Sequence, residues 1–193
     1  MVRTKEFDEE NVIAQAAKAF LKDSYSSTSI SALELATGVG RKSLYNTFGS
    51  KHDLLLRALE KFAFKSTESF IEPLERPGAG RKEIEHVVNA MVSQMTSKSG
   101  QHGCLLCISA QDSIGSSKPV ESLVASYFAR ARAGFLKCIK AGIKEGDITT
   151  STPAQNLADY FVGVLMGIST MARTGAARKT IKNYSDVALR SLE

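Results

Sequence analysis

The stretch that decides the fold lies at residues 28–53 and reads TSISALELATGVGRKSLYNTFGSKHD. Its first half carries apolar residues at helical spacing, which we expect to face inward: Ile30, Leu33, Ala36 and Val39. Gly38 stands where this helix must end, because glycine adopts the left-handed turn conformation at little cost. Ser50 followed by Asp53 is typical of a helix start. The pattern predicts two short helices joined by a glycine turn, followed by a newly capped third helix.

The second helix of this stretch, at residues 41–48, has a mostly polar surface. Only Leu44 and Phe48, four residues apart, are purely apolar. The other positions hold cations, hydroxyl groups and an amide, which are the groups that contact phosphates and base edges. No acidic residue lies between Glu34 and Asp53. The sequence therefore predicts a helix-turn-helix with an exposed recognition helix.

These residues resemble the N-terminal module of TetR-type transcriptional repressors, over residues 8–58. Seven residues match the family pattern in order and spacing: Gly38, Val39, Leu44, Tyr45, Phe48, Lys51 and Leu54. Gly40 replaces the usual serine cap, Thr47 stands where an aromatic ring is common, and Glu34 replaces a small residue. The rest of the chain matches the family only by its length and helical pattern.

The resemblance implies which side chains contact DNA. Residues 41–43 and Tyr45 would approach bases or phosphates, and the following polar residues would hold the DNA backbone, with one more phosphate contact before helix 2. The predicted set is Thr28, Arg41, Lys42, Ser43, Tyr45, Asn46, Thr47 and Lys51. The alternative is a solvated face without a partner, which is the usual role of an isolated basic helix. The order and spacing of the motif favour DNA.

Length and composition allow a sizeable helical body. The chain has 193 residues, 43 % of them hydrophobic, and a formal net charge of +5. Residues 1–62 contain nine Lys or Arg and eight Asp or Glu, so the DNA hypothesis depends on the cations within 41–51. There is no run of about 18 apolar residues and no apolar signal-peptide core. We expect a cytoplasmic protein with no membrane partner.

Periodicity predicts an all-α protein of about nine helices, with the clearest linker at residues 73–80. We assign residues 1–52 to a helix-turn-helix DNA-binding domain and residues 53–193 to an effector-binding and dimerisation domain. A helix at about 50–72 connects the two. Further helices are predicted at about 81–97, 104–112, 119–146 and 153–172, before a final one. Thr152, Pro153 and Gln155 predict a cap, a first-turn proline and a capping-box partner.

The cysteines leave three roles open. Cys104 and Cys107 are three residues apart and share one face of a predicted helix. They would fill the core, line an effector pocket, or act as a thiol sensor for oxidants or electrophiles. We expect burial, with Cys104 the better sensor because it lies nearer the helix start, and we assign Cys138 to the core. The three histidines lack ligand spacing, so we expect no metal and no cofactor.

Gly163 and Gly167 lie four residues apart in an otherwise apolar helix. Each costs about 1 kcal/mol against alanine, so a packing reason is expected. The resemblance implies a dimer interface built from the last two helices, and the alternative is close packing within one subunit. It also implies an effector cavity. Candidate lining residues are Phe62, Met91, Met95, Cys104, Cys107, Phe128 and Met166, and then Phe70, Tyr127 and Phe135.

The leading hypothesis is a homodimeric transcriptional repressor that a small-molecule effector releases from a palindromic DNA operator. A rival within regulation is a redox- or electrophile-responsive repressor that uses Cys104 or Cys107. A DNA-independent interaction protein is a third possibility, which salt-dependent DNA binding would remove. We do not expect an enzyme, because the chain offers no nucleophile–base pattern and no phosphate-binding glycine loop.

Overall fold

The computed structural model describes residues 7–193, and this part of the chain is all-α, as predicted. It contains ten α-helices and one 3₁₀ turn. The elements are α1 (Glu9–Ser27), α2 (Ile30–Thr37), α3 (Arg41–Phe48), α4 (Lys51–Phe70), α5 (Glu72–Glu75), α6 (Arg81–Met95), α7 (Leu105–Gln111), the 3₁₀ turn (Ser113–Ser116), α8 (Lys118–Glu145), α9 (Ala154–Arg173) and α10 (Arg178–Arg190). None of the helices in this range is long and apolar enough to cross a bilayer.

Local signals fix the starts of the N-terminal helices. The Asp8 carboxylate accepts from the Glu10 N–H at 2.9 Å, and the Ser29 and Ser50 hydroxyls cap α2 and α4 at 3.0 Å each. Gly38 ends α2 with φ 70°, in the left-handed region that the sequence predicts for it. The helix-turn-helix therefore forms where the sequence places it.

The N-terminal core is shared between the first four helices and a later part of the chain. It includes Phe20, Leu33, Leu44 and Phe48. Residues 104–107 and Val120 belong to the same apolar cluster, and α1 and α4, which flank the helix-turn-helix, pack on α7, with α4 also on α8. One inward prediction is wrong. Ala36 is exposed although it lies three residues after the buried Leu33, because it stands in the last turn of α2, where the chain leaves the core toward the Gly38 turn.

α1 is interrupted near its C-terminal end. The sequence predicts a break at residues 25–27, and the backbone leaves the helix one residue earlier, at Ser24, with φ 65° and ψ 169°. This conformation is almost confined to glycine and costs about 1–3 kcal/mol for other residues, so surrounding contacts must hold it. One of them is the Thr28 hydroxyl, which donates to the Ser24 carbonyl at 2.5 Å.

The C-terminal body is built from α6, α8, α9 and α10 around stacked Phe135 and Phe161 rings, whose centroids lie 5.5 Å apart. The predicted linker at 73–80 contributes to this core. The short helix α5 begins one residue before this segment and overlaps its start. Leu74 of α5 is fully buried against Gly134 of α8, where an added Cβ would lie 3.0 Å from the Leu74 Cβ. The count of about nine helices missed α5, because four residues are too few to show a period.

The start of α9 differs from the prediction. Pro153 is the N-cap, with φ −54° and ψ 136°, and no side chain caps the helix. Thr152 therefore lies outside the helix, and the capping box with Gln155 is wrong. Because proline lacks an N–H, its capping position removes no hydrogen bond, and the helix begins one residue later than expected.

Candidate nucleic-acid interface and ligand cavity

α3 presents a polar face to solvent because its two apolar residues anchor it from behind. Leu44 and Phe48 are 4 % and 7 % exposed and pack in the N-terminal core. The opposite side of the helix carries the side chains that the sequence assigns to DNA. These are the exposed Arg41, Lys42, Ser43, Tyr45 and Asn46, and the half-buried Thr47. The arrangement places two cations, two hydroxyls, an amide and a phenol on the solvent-facing side of one helix.

Two departures from the family pattern compensate for each other at the start of α3. Gly40 is the N-cap and offers no side-chain hydrogen bond. The Arg41 backbone N–H donates instead to Oε1 of Glu34, on α2, at 2.6 Å. A carboxylate at a helix N-terminus is favourable, because the N–H groups there carry partial positive charge. Glu34 therefore fixes α3 to α2 across the turn, a role that sequence reasoning missed.

Thr28 and Lys51 are less exposed than the polar face of α3, although Lys51 lines a surface pocket together with Tyr45. Thr28 is 1 % exposed and its hydroxyl donates within the chain to Ser24, so its side chain is not presented to the surface. Lys51 is half-buried at the start of α4, with its ammonium 4.1 Å from the centre of the Tyr25 ring. Burial lowers the pKa of Lys51, and the nearby Asp112 carboxylate opposes this shift.

An apolar cavity lies between the connecting helix α4 and the C-terminal body. Its accessible volume is about 20 Å³, room for about one water molecule. The structure brings eight of the candidate residues together there: Phe62, Phe70, Met91, Met95, Cys104, Cys107, Tyr127 and Phe128. Sequence reasoning missed Ser66, Gln94 and Leu165, which complete the lining. Phe135 is core and Met166 packs with the N-terminal cluster, and neither is part of this lining.

The two thiols of this cavity have different environments. Cys104 is the N-cap of α7, and its N–H donates to the Ser169 hydroxyl at 2.8 Å. Hydrogen bonds from the Cys107 thiol and from backbone N–H groups of α7 lower the pKa of Cys104, against the effect of burial. The pKa of Cys107 is raised by its hydrogen bond with the Cys104 thiol and by burial. Cys104 and Cys107 are 7 % and 4 % exposed.

Cys107 also borders a separate surface groove of about 310 Å³. The groove continues along α7 and α9, and its other lining residues are Ile108, Gln111, Ser169, Thr170, Arg173 and Thr174. Cys107 thus separates this groove from the cavity. Within residues 7–193, no three His, Cys, Asp or Glu side chains cluster as metal ligands would.

The paired glycines of α9 have different surroundings. An added Cβ at Gly167 would lie 2.8 Å from the Tyr184 hydroxyl oxygen of α10, so this glycine allows close packing within the subunit. An added Cβ at Gly163 meets nothing within 4 Å, and Gly163 is exposed. Tyr160 and Val187, 40 % and 54 % exposed, extend the uncovered surface of α9 and α10.

The chain is similar to known regulators over its whole length. It is 27 % identical to YezE of Bacillus subtilis, an uncharacterised helix-turn-helix-type transcriptional regulator, over an alignment of 201 positions that covers all of both chains. It is 25 % identical to ComR of Escherichia coli, a helix-turn-helix-type transcriptional repressor, over 97 % of this chain and 90 % of ComR.

Solved structures and family patterns agree with these relatives. A cysteine mutant of the TetR family regulator CifR, complexed with 26-base-pair operator DNA, superposes with a TM-score of 0.85 at 25 % identity, over 98 % of each chain. A TetR regulator from Chloroflexus aurantiacus shares the fold, with a TM-score of 0.81 at 24 % identity, over 94 % of this chain and 91 % of that one. Residues 12–58 match the pattern of bacterial regulatory proteins of the tetR family, and residues 80–186 match the tetracyclin repressor-like C-terminal domain. The chain is therefore a member of the TetR family of transcriptional regulators.

Proposed function

We propose that the protein is a homodimeric transcriptional repressor that binds a palindromic operator through α3 and releases it when a small-molecule effector binds. The observation that carries the proposal is the exposed polar face of α3, anchored by Leu44 and Phe48. The operator-bound CifR supports it, since that relative superposes over nearly the whole chain. Residues 1–52 would form the DNA-binding domain and 53–193 the effector and dimerisation domain, joined by α4.

The proposed DNA contacts are those that the structure leaves at the surface or near it: Arg41, Lys42, Ser43, Tyr45, Asn46, Thr47 and Lys51. Thr28 would support DNA binding indirectly, because its buried hydroxyl donates to the Ser24 carbonyl and so stabilises the chain that leads into α2. Two copies of α3 in a dimer would enter successive major grooves on one face of the duplex.

Sequence-specific, salt-dependent binding tests this function. Bound sequences are selected from a random DNA pool, and the affinity of the selected duplex is then measured over a series of salt concentrations. Lys42→Ala should weaken binding to all sequences and reduce the salt slope by about 1, as for loss of one phosphate contact. Lys140→Ala, which removes an exposed cation from α8, is the matched control. Failure of the pool to yield any preferred sequence would contradict the proposal.

The cavity supports an effector of defined chemistry. Its lining is mainly aromatic and sulfur-containing, with Ser66, Gln94 and Tyr127 as polar groups. A small aromatic or otherwise apolar molecule with one hydrogen-bonding group fits this lining. Such a molecule must open the cavity, because only about 20 Å³ is accessible. The unbranched Met91 and Met95 side chains can give way to it.

Ligand-induced stabilisation tests the effector site. Substituted phenols are screened for an increase in the thermal midpoint and for release of the selected duplex. Gln94→Leu should weaken both effects of a ligand found in this way, whereas Gln155→Leu, at the exposed first turn of α9, should leave them unchanged. Equal responses of the two variants would place the ligand elsewhere.

A thiol-responsive repressor is the second candidate. The observation that favours it is Cys104 at the N-cap of α7, paired with Cys107 as Cys-Leu-Leu-Cys. A helix N-terminus and a Cys-X-X-Cys motif both favour the thiolate, which is the reactive species. CifR, the relative with a DNA complex, was itself studied as a cysteine mutant. Burial of both thiols opposes fast reaction.

Native alkylation separates the two candidates. Iodoacetamide labelling near neutral pH is followed for each cysteine by mass spectrometry. Cys138 is the internal control, because burial raises its pKa to about 11 and its thiol donates to the Leu74 carbonyl at 3.2 Å. Fast labelling of Cys104, with a loss of DNA binding that Cys104→Ser prevents, supports the thiol mechanism. Slow labelling of all three until denaturant is added supports the effector mechanism.

A further inference from the structure

The break in α1 exposes backbone groups that two other helices satisfy. In an uninterrupted helix the N–H of Ser26 would donate to the carbonyl of Lys22. Here the Ser26 N–H donates to Oδ2 of Asp112, at the C-terminal end of α7, at 3.0 Å. The Ser26 hydroxyl also donates to this carboxylate, and Ser113 adds a hydrogen bond at 3.0 Å. Asp112 thus binds the segment that follows the break.

Arg173, in the last turn of α9, binds the segment that precedes the break. Its Nη1 donates to the Leu21 carbonyl at 2.7 Å and to the His102 carbonyl at 3.0 Å. Its Nη2 donates to the Lys22 carbonyl at 3.4 Å. In an uninterrupted helix the Leu21 and Lys22 carbonyls would accept from the N–H groups of residues 25 and 26. Asp112 and Arg173 therefore hold the two sides of the same interruption.

We propose that Asp112 and Arg173 are positioning residues for DNA recognition, which hold the break at Ser24 and so set the orientation of the α2–α3 unit that follows it. The inference rests on the proposed function, since it concerns the affinity for operator DNA. Both residues also belong to the elements around the thiols. Asp112 ends the helix that Cys104 begins, and Arg173 lies one turn after Ser169, whose hydroxyl accepts the Cys104 N–H.

Two conservative variants isolate this role from charge. Asp112→Asn keeps the size of the side chain but replaces one of its two acceptor oxygens by an NH₂ donor, so it can no longer accept from both the Ser26 N–H and the Ser26 hydroxyl. Loss of a carboxylate would by itself strengthen binding to DNA, so weaker binding cannot come from charge. Arg173→Lys keeps the charge but loses the fork that reaches several carbonyls. Glu121→Gln, in an exposed pair with Lys118, is the control for carboxylate removal.

We expect Asp112→Asn and Arg173→Lys each to weaken operator binding by about five- to tenfold, and Glu121→Gln to leave it unchanged. Ser24→Gly supplies the rescue. Glycine adopts the conformation of residue 24 without strain, so adding it to Asp112→Asn should restore most of the affinity. Because Ser24→Gly also relieves strain and raises stability, binding is measured well below the thermal midpoint of every variant, where a difference in stability alone leaves the affinity unchanged. Unchanged affinity in both single variants, or a loss that Ser24→Gly leaves in place, would overturn the inference.

A readout without DNA keeps this inference separate from the proposed function. Amide hydrogen exchange at residues 24–28 should become faster in Asp112→Asn, with the rest of α1 unchanged, and Ser24→Gly should reverse the increase. If the wild-type protein binds no specific DNA but the exchange behaves in this way, the proposed function fails and the contacts at the break stand. If exchange at residues 24–28 is unaffected, the positioning role is wrong whatever the DNA result.

Discussion

Glu34 shows how one side chain can replace a missing cap. Its carboxylate, on the far side of the Gly38 turn, accepts a hydrogen bond from the first N–H of α3. The N-cap residue Gly40 has no side chain that could do so. The same carboxylate lies near the surface that we propose for DNA, where negative charge opposes binding. The recognition helix therefore keeps its start ordered at some electrostatic cost to affinity.

Glu34→Ala should lower the free energy of unfolding by about 1 kcal/mol, as for loss of a helix cap. Gly40→Ser added to it should restore most of the stability, because an added Cβ at residue 40 meets nothing within 4 Å and its φ of −65° suits any residue. Urea denaturation of the two proteins measures both effects. If serine restores nothing, Glu34 is not acting as the cap.

Tyr45 is the residue of α3 whose contribution to DNA binding is easiest to isolate. It is 42 % exposed and follows the buried Leu44. Tyr45→Ala should leave the circular dichroism spectrum intact and weaken operator binding by about 1–3 kcal/mol. Phe64→Ala removes a ring of α4 that is even more exposed, at 67 %, and should not change the affinity. Equal affinities of the Tyr45→Ala and wild-type proteins would exclude a contact.

At the scale of elements, α5 changes the role of the apparent linker. A proline- and glycine-rich segment reads as a flexible connection, yet Leu74 within it is fully buried and touches α8 at Gly134. The Leu74 carbonyl also accepts the Cys138 thiol at 3.2 Å. This segment therefore packs the chain that follows α4 against the C-terminal body.

Leu74→Ala should destabilise the protein by about 2–5 kcal/mol, the usual cost of truncating a buried leucine. Leu35→Ala is the matched control, because Leu35 on α2 is 88 % exposed, and it should change the stability by less than about 0.5 kcal/mol. Thermal unfolding followed by circular dichroism compares the two. A small effect at Leu74 would mean that the segment is indeed a linker.

At the scale of the whole molecule, assembly is proposed to use the uncovered surface of α9 and α10. Tyr160, Gly163 and Val187 lie on this surface, and Gly163 has open space in front of it. Close approach of a second copy would use that space. Gly167 has a different role, because Tyr184 of the same chain already occupies its space.

Gly163→Leu should therefore give folded monomers, whereas Gly167→Leu should destabilise each subunit through a clash with Tyr184. Light scattering measures the mass and thermal unfolding measures the stability of each variant. A stable Gly163→Leu dimer would contradict the proposed interface. A fully stable Gly167→Leu protein would contradict the packing of Gly167 against α10.

Most of the secondary structure was predictable because its signals are local. Caps at Asp8, Ser29 and Ser50, the turn at Gly38, and the apolar pair Leu44 and Phe48 all act within four residues of the chain. Where a local signal was ambiguous the prediction was wrong, as at Thr152, or at Ala36, which the short apolar run of α2 could place on either side. The composition of the cavity was largely visible too, since large apolar residues recur on the inward faces of α4, α6 and α8.

The sequence alone determined the all-α fold, the helix-turn-helix and the polar face of α3, because periodicity and capping depend on residues that are neighbours along the chain. Only the tertiary structure decided what those elements touch. The contact of Ser26 with Asp112 joins residues 86 apart in the sequence, and Arg173 reaches Leu21 across 152. It likewise decided that Gly167 packs on Tyr184, that Thr28 is buried and that the cavity has an accessible volume of only about 20 Å³. Such contacts depend on how whole helices pack against one another, and no local pattern in the sequence specifies that packing.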